Sequence, residues 1–491
     1  MIAVTACLVL PLAAALAAIP LGRRAPRLAL VAAPLILLAA LAVATEIWRT
    51  GPAQLPVGGW LPPLGIALVV DGLSAAFLLT GAIVTGAVVL FATSIFSTPD
   101  RETRAGFAFW PLLLAMWGAL NAVFLSGDLF NLYVALELLT LTAVALVALD
   151  GRRETVAAAI RYMLFALFGS LAYLLGVTLI YARYGALDIA LLRILAEPDA
   201  PTFVAAALMT IGLAAKTALF PFHAWLPPAH AGAPAPASAM LSALVTKASF
   251  YIVVRIWFDV LPVAGNEALA MILGAMGVGA ILFGSVLAIG QERLKLVVAY
   301  STVAQLGYLF LMFPLAGSGG EAQPWAAGAW NGGVVHALSH AFAKAAMFLC
   351  AGLFAEAIGH DRMDGLKGVA RTMPLTVFAF GLAAISLMGL PPSGGFTAKY
   401  LLLTAAFAGG NHFFALVMLA GGLLAAIYLF RPLERAFAKP AEGSDITPIA
   451  RWRQAVPLVL AGAAIALGVF SAVPFDLLRI GRADAAQEGL E

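Results

Sequence analysis

One glutamate, four lysines and two histidines lie inside apolar runs of this sequence, and side chains of these types accept and release protons. Glu137 sits in the run 128–149, nine residues from its start. At 1.5 Å per residue that is about 14 Å along a helix. Lys216 precedes a proline-rich break by five residues, and Lys247 lies in the run 239–258. His336, His340 and Lys344 follow at a spacing of four. That spacing keeps them on one face of a helix, drifting by roughly 40° per step. Lys399 comes just after a second break. His223 and His230 fall within the first break and are candidates for a relay or an access path.

The chemistry follows from residue type. Burial disfavours the charged form of lysine, and a nearby carboxylate favours it. A Glu–Lys pair is therefore a switch, because moving or neutralising the carboxylate frees the ammonium to give up its proton. Histidines relay protons near neutral pH. One buried charge can be structural. Seven such groups in five apolar runs read as a proton pathway of the kind built into pumps and transporters. His360 and His412 stand near the ends of runs, and Arg161, Asp71, Asp128 and Glu356 near interfaces; these read as anchors or caps.

The elements that position these groups are set by composition. Of 491 residues, 63% are hydrophobic and 11% charged, against roughly 25% charged in soluble domains. Apolar runs of about 20 residues recur along the chain, each long enough to cross a bilayer core of roughly 30 Å. The expected fold is an all-α integral membrane protein of about fourteen transmembrane helices, from the first at 2–21 to the last at 454–473. The first run is not a secretory signal, since Arg23, Arg24 and Arg27 follow it and do not precede it. A net charge of +3 gives no reason to expect nucleic acid. Cys7 and Cys350 lie in apolar runs and read as small core residues, neither a disulfide nor a metal site. No cofactor and no metal centre is expected.

Loop charges alternate with this count. Seventeen lysines and arginines fall on one set of loops, among them Arg101, Arg152, Arg293, Arg362 and Arg435, and six on the other, including Arg193, Arg255 and Arg482. The positive-inside rule then puts both termini outside the cytoplasm of a bacterial cell (inner) membrane. The stretch after Pro474 reads as a tail.

Two segments break the helical pattern: Phe220-Pro221-Phe222-His223-Ala224-Trp225-Leu226-Pro227-Pro228, and Gly389-Leu390-Pro391-Pro392-Ser393-Gly394-Gly395. Proline removes a backbone donor, and unpaired backbone inside a membrane survives only where protein or a wet cavity surrounds it. Interrupted helices in matching places of two halves point to inverted repeats. The expected organisation is N-terminal helices over 1–100, a first five-helix repeat over 107–258, a second over 268–434, and a C-terminal helix and tail over 452–491.

The first break, followed by Ala229-His230, by Ala233-Pro234-Ala235-Pro236-Ala237-Ser238-Ala239 and by Lys247, resembles the signature of the proton-translocating antiporter-type subunits. Such subunits occur in Mrp-type Na+/H+ antiporters, in respiratory complex I and in related membrane hydrogenases. Gly127-Asp128-Leu129-Phe130-Asn131-Leu132 before Glu137, Ala299-Tyr300-Ser301-Thr302 with Gln305-Leu306-Gly307-Tyr308, the run from His336 to Lys344, and the second break with Lys399 carry the same likeness, over roughly residues 70–435. The resemblance implies fourteen helices, two inverted repeats and a central hydrophilic axis in which Glu137 pairs with Lys216, Lys247 and the His340/Lys344 region continue, and Lys399 ends the row. Pro228 stands where the family often has an acidic residue. Lysine at 399 and the lack of a long lateral helix point within the family to the D-type subunit of an Mrp-type antiporter. The partners implied are other membrane subunits of a hetero-oligomeric complex, protons, and Na+ or another monovalent cation. The alternative is a proton-pumping subunit of complex I (NADH:quinone oxidoreductase) or a membrane hydrogenase. It uses the same axis under a redox drive, and in neither case does this chain make bonds of its own.

Overall fold

A computed structural model describes residues 2–97, 103–260, 266–317, 324–440 and 446–482. The helices in chain order are α1 (Ile2–Leu21), α2 (Ala25–Thr50), α3 (Gly72–Phe96), α4 (Arg104–Leu125), α5 (Leu129–Val147), α6 (Arg153–Tyr184), α7 (Ile189–Leu195), α8 (Ala200–Thr217), α9 (Leu226–Gly232), α10 (Ala235–Met240) and α11 (Thr246–Val254). They continue with α12 (Glu267–Ile289), α13 (Leu294–Gly317), α14 (Pro324–Ile358), α15 (Val369–Thr372), α16 (Pro374–Met388), α17 (Gly394–Ala408), α18 (His412–Phe437), α19 (Arg451–Val469) and α20 (Ala472–Arg479). Two π-helical pieces, Leu241–Val245 and Arg255–Val260, join α10 and α11 into one stretch, Ala235–Val260.

Among the described residues, 12 helical stretches are long and apolar enough to cross a membrane. The first, Ile2–Thr50, is 49 residues long and divides at Gly22, where φ is +47°. Helix is the form such sequences take, because it pairs every backbone group within the segment. The stretch Ala235–Val260 is buried all round, and α13 and α14 nearly so. These three form the centre, and α2, α5, α6, α12, α18 and α19 turn apolar faces outward.

Both expected breaks are present. Helix α8 ends at left-handed Ala218 (φ +64°), and the chain resumes helical form at Phe222. Helix α16 ends at left-handed Gly389 (φ +83°), and Ser393 caps α17, its Oγ accepting from the Phe396 amide at 3.1 Å. With 15 residues each, α16 and α17 are individually too short for a crossing that needs about 20.

The loops gather at two ends. At one, Arg293 pairs with Asp361 at 2.9 Å and bonds the Ala231 carbonyl at 3.2 Å, while Lys295 bonds the Ala233 carbonyl at 2.8 Å. At the other, an antiparallel hairpin of β1 (Ala53–Pro56) and β2 (Ala67–Val70) meets Ser126 and Gly127, and the Gly72 amide bonds the Ile480 carbonyl at 2.9 Å. The hairpin is an addition to the all-α expectation. It pairs backbone groups of a proline-interrupted segment that cannot be helical.

Two sequence readings change. The stretch after Pro474 is not all tail, since α20 packs on α3. Arg255, read as a loop charge, is buried, with Nη1 2.6 Å from Asp71 Oδ2 and 2.7 Å from Asp259 Oδ2. Arg101 lies outside the described residues.

Candidate functional site

The site begins where α5, α6 and α8 meet. Gly169 of α6 and Gly212 of α8 face each other so closely that a Cβ on Gly169 would stand 2.5 Å from the Gly212 carbonyl oxygen, and one on Gly212 would stand 2.3 Å from that of Gly169. This contact brings Ser170 and Lys216 onto the same carboxylate. Lys216 Nζ donates to Glu137 Oε1 at 2.9 Å and to Thr140 Oγ1 at 2.9 Å. The Ser170 hydroxyl donates to the same Glu137 oxygen. The lysine side chain is 4% exposed and the glutamate 28%, so the carboxylate sits at the rim of the bundle and the ammonium inside it. Lys216 occupies the last turn of α8, just before the helix breaks.

Lys247 is fully buried. The π-helical piece Leu241–Val245 ends immediately before α11, and Lys247 Nζ donates to the Ser242 carbonyl and, at 3.3 Å, to Thr246 Oγ1. A π turn takes a carbonyl out of the regular α ladder, which makes it available to an ammonium. Ser242 in turn bridges to Thr302 of α13 at 2.9 Å.

On α14, Lys344 Nζ donates to the Val298 carbonyl at 3.0 Å and to the Ser301 hydroxyl. His336 Nε2 donates to the Gln305 carbonyl at 3.3 Å, and the His336 and His340 rings lie 5.9 Å apart. Neither nitrogen of His340 has a hydrogen-bond partner, though the ring is buried within electrostatic reach of Lys247, Lys344, His336 and Lys399. Lys399 donates to the Leu387 carbonyl at 2.7 Å, at the end of α16. Its ammonium lies 4.0 Å from the centre of the Tyr308 ring, which is 5.6 Å from the His336 ring. Lys399 also walls an apolar groove of about 700 Å³ open to the outside, with Leu390, Phe396, Leu423 and Phe430.

The structure thus gathers Lys247, His336, His340, Lys344 and Lys399 into one neighbourhood, and holds Glu137 with Lys216 in an adjoining one across the direct packing of α8 on α11. His230 is buried, stacks on Phe348 at 4.4 Å and lies within electrostatic reach of Lys247, Lys295 and Lys344, with both ring nitrogens unpartnered. His223 packs on Phe220 and Phe283 away from that row. Among the described residues, Lys216 alone of the four lysines of the row, three of them buried and Lys399 partly so, has a carboxylate partner. An unpaired ammonium in an apolar interior is costly, and here backbone carbonyls and hydroxyls meet part of that cost. No group of three or more His, Cys, Asp or Glu among the described residues is placed to hold a metal ion.

Sequence reasoning found the ionisable groups and gave their neutral partners no role, though Ser301, Thr302 and Tyr308 stand in a motif it singled out. Ser170, Thr140, Ser242, Ser301 and Tyr308 each touch the row and Thr302 touches Ser242, yet a hydroxyl in an apolar helix is common. Asp71, Asp128 and Glu356 have the anchoring places expected: the first two cap α3 and α5, and Glu356 Oε1 lies 2.6 Å from Arg453.

A largely buried set of ionisable side chains beside two interrupted helices is an arrangement that suits an ion-translocating membrane protein. The comparisons agree. The family model described as NADH:quinone oxidoreductase/Mrp antiporter, TM, matches residues 126–425, and the chain belongs to that family. It is 37% identical to the N subunit of NADH-quinone oxidoreductase from Desulforudis audaxviator, over 88% of this chain and 87% of the relative. It is 31% identical to the D subunit of the Na(+)/H(+) antiporter from Alkalihalophilus pseudofirmus, over 82% of this chain and 79% of the relative. Among solved structures, a chain of the Mrp complex from Dietzia sp. superposes with a TM-score of 0.88 at 27% identity, covering 99% of this chain and 97% of that one.

Proposed function

We propose that this chain is a proton-translocating subunit of a multi-subunit monovalent cation/proton antiporter, with Glu137, Lys216, Lys247, His340, Lys344 and Lys399 as its relay. The observation that carries the reading is the Glu137–Lys216 contact at 2.9 Å, next to three further lysines without carboxylates, two of them buried. With Glu137 in place the Lys216 ammonium is paired. When the carboxylate turns away or is protonated, the ammonium is left in an apolar setting and passes its proton inward. His336 and His230 stand beside the row as further relay or access groups, and His223 as a more distant one.

Counting Ile2–Thr50 as two helices and the α16–α17 pair as one supports fourteen spans among the described residues. Matching left-handed ends followed by proline at Ala218 and Gly389 support two repeats over 107–258 and 268–434. The end carrying Arg152, Arg293, Arg362 and Arg431 is cytoplasmic by the positive-inside rule, which leaves both termini outside a bacterial inner membrane. The partly exposed Glu137 and the groove at Lys399 are where neighbouring membrane subunits join.

A second reading, a subunit of a redox-driven pump, is favoured by the 37% identity to the N subunit of an NADH-quinone oxidoreductase. Proton transport in inverted vesicles bearing the intact complex separates the two. If sodium dissipates the pH gradient, and Lys216→Ala and Glu137→Ala abolish this in assembled complexes, the antiporter reading stands. Pumping driven by NADH or another electron donor, with no effect of sodium, establishes the second. Equal transport by wild type and both variants removes the Glu–Lys switch.

A further inference from the structure

Of the four lysines of the row, Lys399 is held least like the others. Lys216 donates to a carboxylate and a hydroxyl, and Lys247 and Lys344 each donate to a carbonyl and a hydroxyl. Lys399 donates to the Leu387 carbonyl at 2.7 Å, one of the last carbonyls of α16. Among the described residues, no hydroxyl and no carboxylate bonds its ammonium. Leu390, Phe396, Leu423 and Phe430, which line the groove with it, are apolar.

A ring takes the place of the missing hydroxyl. The Lys399 ammonium lies over the Tyr308 ring, 4.0 Å from its centre, and among the described residues it is the one lysine so placed. An aromatic face carries partial negative charge, and its pull on a cation is strongest where water is excluded. Tyr308 is 1% exposed.

Both partners are fixed. The Tyr308 hydroxyl donates to the Met418 carbonyl of α18 at 2.9 Å, which ties the ring of α13 to a second helix. Gly421 leaves room for that hydroxyl, since a Cβ there would collide with it. On the other side the lysine stem runs past left-handed Gly389, where a Cβ would stand 2.7 Å from Lys399 Cδ. The same ring packs on His336, with centres 5.6 Å apart. One side chain thus touches both the last lysine and the nearest histidine of the row.

We propose that Tyr308 is the positioning residue of the last lysine: its face holds the Lys399 ammonium at the end of the row and fixes where it stands relative to His336. The inference rests on the relay reading above. Tyr308 itself takes and gives no proton. Its ring keeps the charged form of Lys399 in place where no carboxylate does, and its hydroxyl keeps the ring in place.

The test uses the intact complex in proteoliposomes, with proton flux measured per assembled complex. Tyr308→Leu is expected to slow flux about tenfold and Tyr308→Phe to hold it within about twofold of wild type, because phenylalanine keeps the face. Mono-, di- and trifluorinated phenylalanine at position 308 keep the shape of the ring and drain its face step by step. Flux is expected to fall in that order, with assembly and melting temperature as in Tyr308→Phe. A residue that only fills the core gives the same flux across the fluorinated series. A flat series, or wild-type flux in Tyr308→Leu, with Lys216→Ala and Lys399→Ala both inactive, overturns the inference and leaves the relay standing. Wild-type flux in Lys399→Ala with Lys216→Ala inactive also overturns it, since there is then no ammonium to hold. Wild-type flux in both lysine variants overturns the relay, and the role of Tyr308 falls with it.

Discussion

At the scale of single residues, the Glu137–Lys216 pair separates stability from function. Removing one partner of a buried ion pair costs about 3–5 kcal/mol, whereas replacing both by neutral groups is often close to neutral. Lys216→Met is therefore expected to lower the melting temperature of the complex, and Glu137→Gln to lower it less, because the carboxylate stands at the rim. The double variant Glu137→Gln/Lys216→Met recovers most of the stability and none of the transport. Calorimetry alongside vesicle transport checks this, and recovery of both would show that the pair only holds helices together. Much of this residue pattern is legible in the sequence, since ionisable side chains stand out against apolar runs. Arg255 shows the limit. Its charge is visible, but nothing nearby in the chain reveals Asp71, 184 positions away, as its partner.

At the scale of elements, the α6–α8 contact decides whether the pair forms at all. Gly169→Ala places a methyl 2.5 Å from a backbone oxygen, which neither helix can yield without moving apart. Overpacking of this kind costs about 1–3 kcal/mol. The expected outcome is a complex that assembles with a lower melting temperature and transports several-fold more slowly, since Ser170 and Lys216 no longer converge on Glu137. Gly86, by contrast, faces open space on α3, and Gly86→Ala is expected to leave both measurements unchanged. If the two alanine variants behave alike, close packing at Gly169 does not position the site. Proline made both helix breaks readable in advance. The π-helical turn ahead of Lys247 was not, because Leu241–Val245 contains neither proline nor glycine, and only the packing of Ala235–Val260 inside the bundle selects that form.

At the scale of the whole molecule, one polar clamp ties the N-terminal helices to the core. Arg255 holds Asp71 through two bonds of 2.6 and 2.7 Å and Asp259 through one of 2.7 Å, and Asp259 also pairs with Arg193 at 3.3 Å. Asp71 caps α3 through the Ser74 amide, and the next residue, Gly72, bonds Ile480 near the C-terminal end of the described chain. Burial alone would raise the Asp71 carboxyl, but the Arg255 guanidinium outweighs it, with help from Ser74, and holds it below the usual carboxylate range. A carboxyl depressed in the folded state contributes stability that is fully present above its unfolded value of about 3.9 and is lost as pH falls through the folded value. Asp71→Asn is therefore expected to melt well below wild type at pH 7, by about 3 kcal/mol, and the gap to close only as pH drops below about 4. The melting curves of both proteins in detergent from pH 7 to pH 3 test this. A gap that stays constant with pH would mean that the cap to Ser74, and not the charge on Asp71, makes the contribution. A gap that closes in acid assigns the joint between α3 and the stretch that carries Lys247 to one buried ion pair, two turns along that stretch from the lysine.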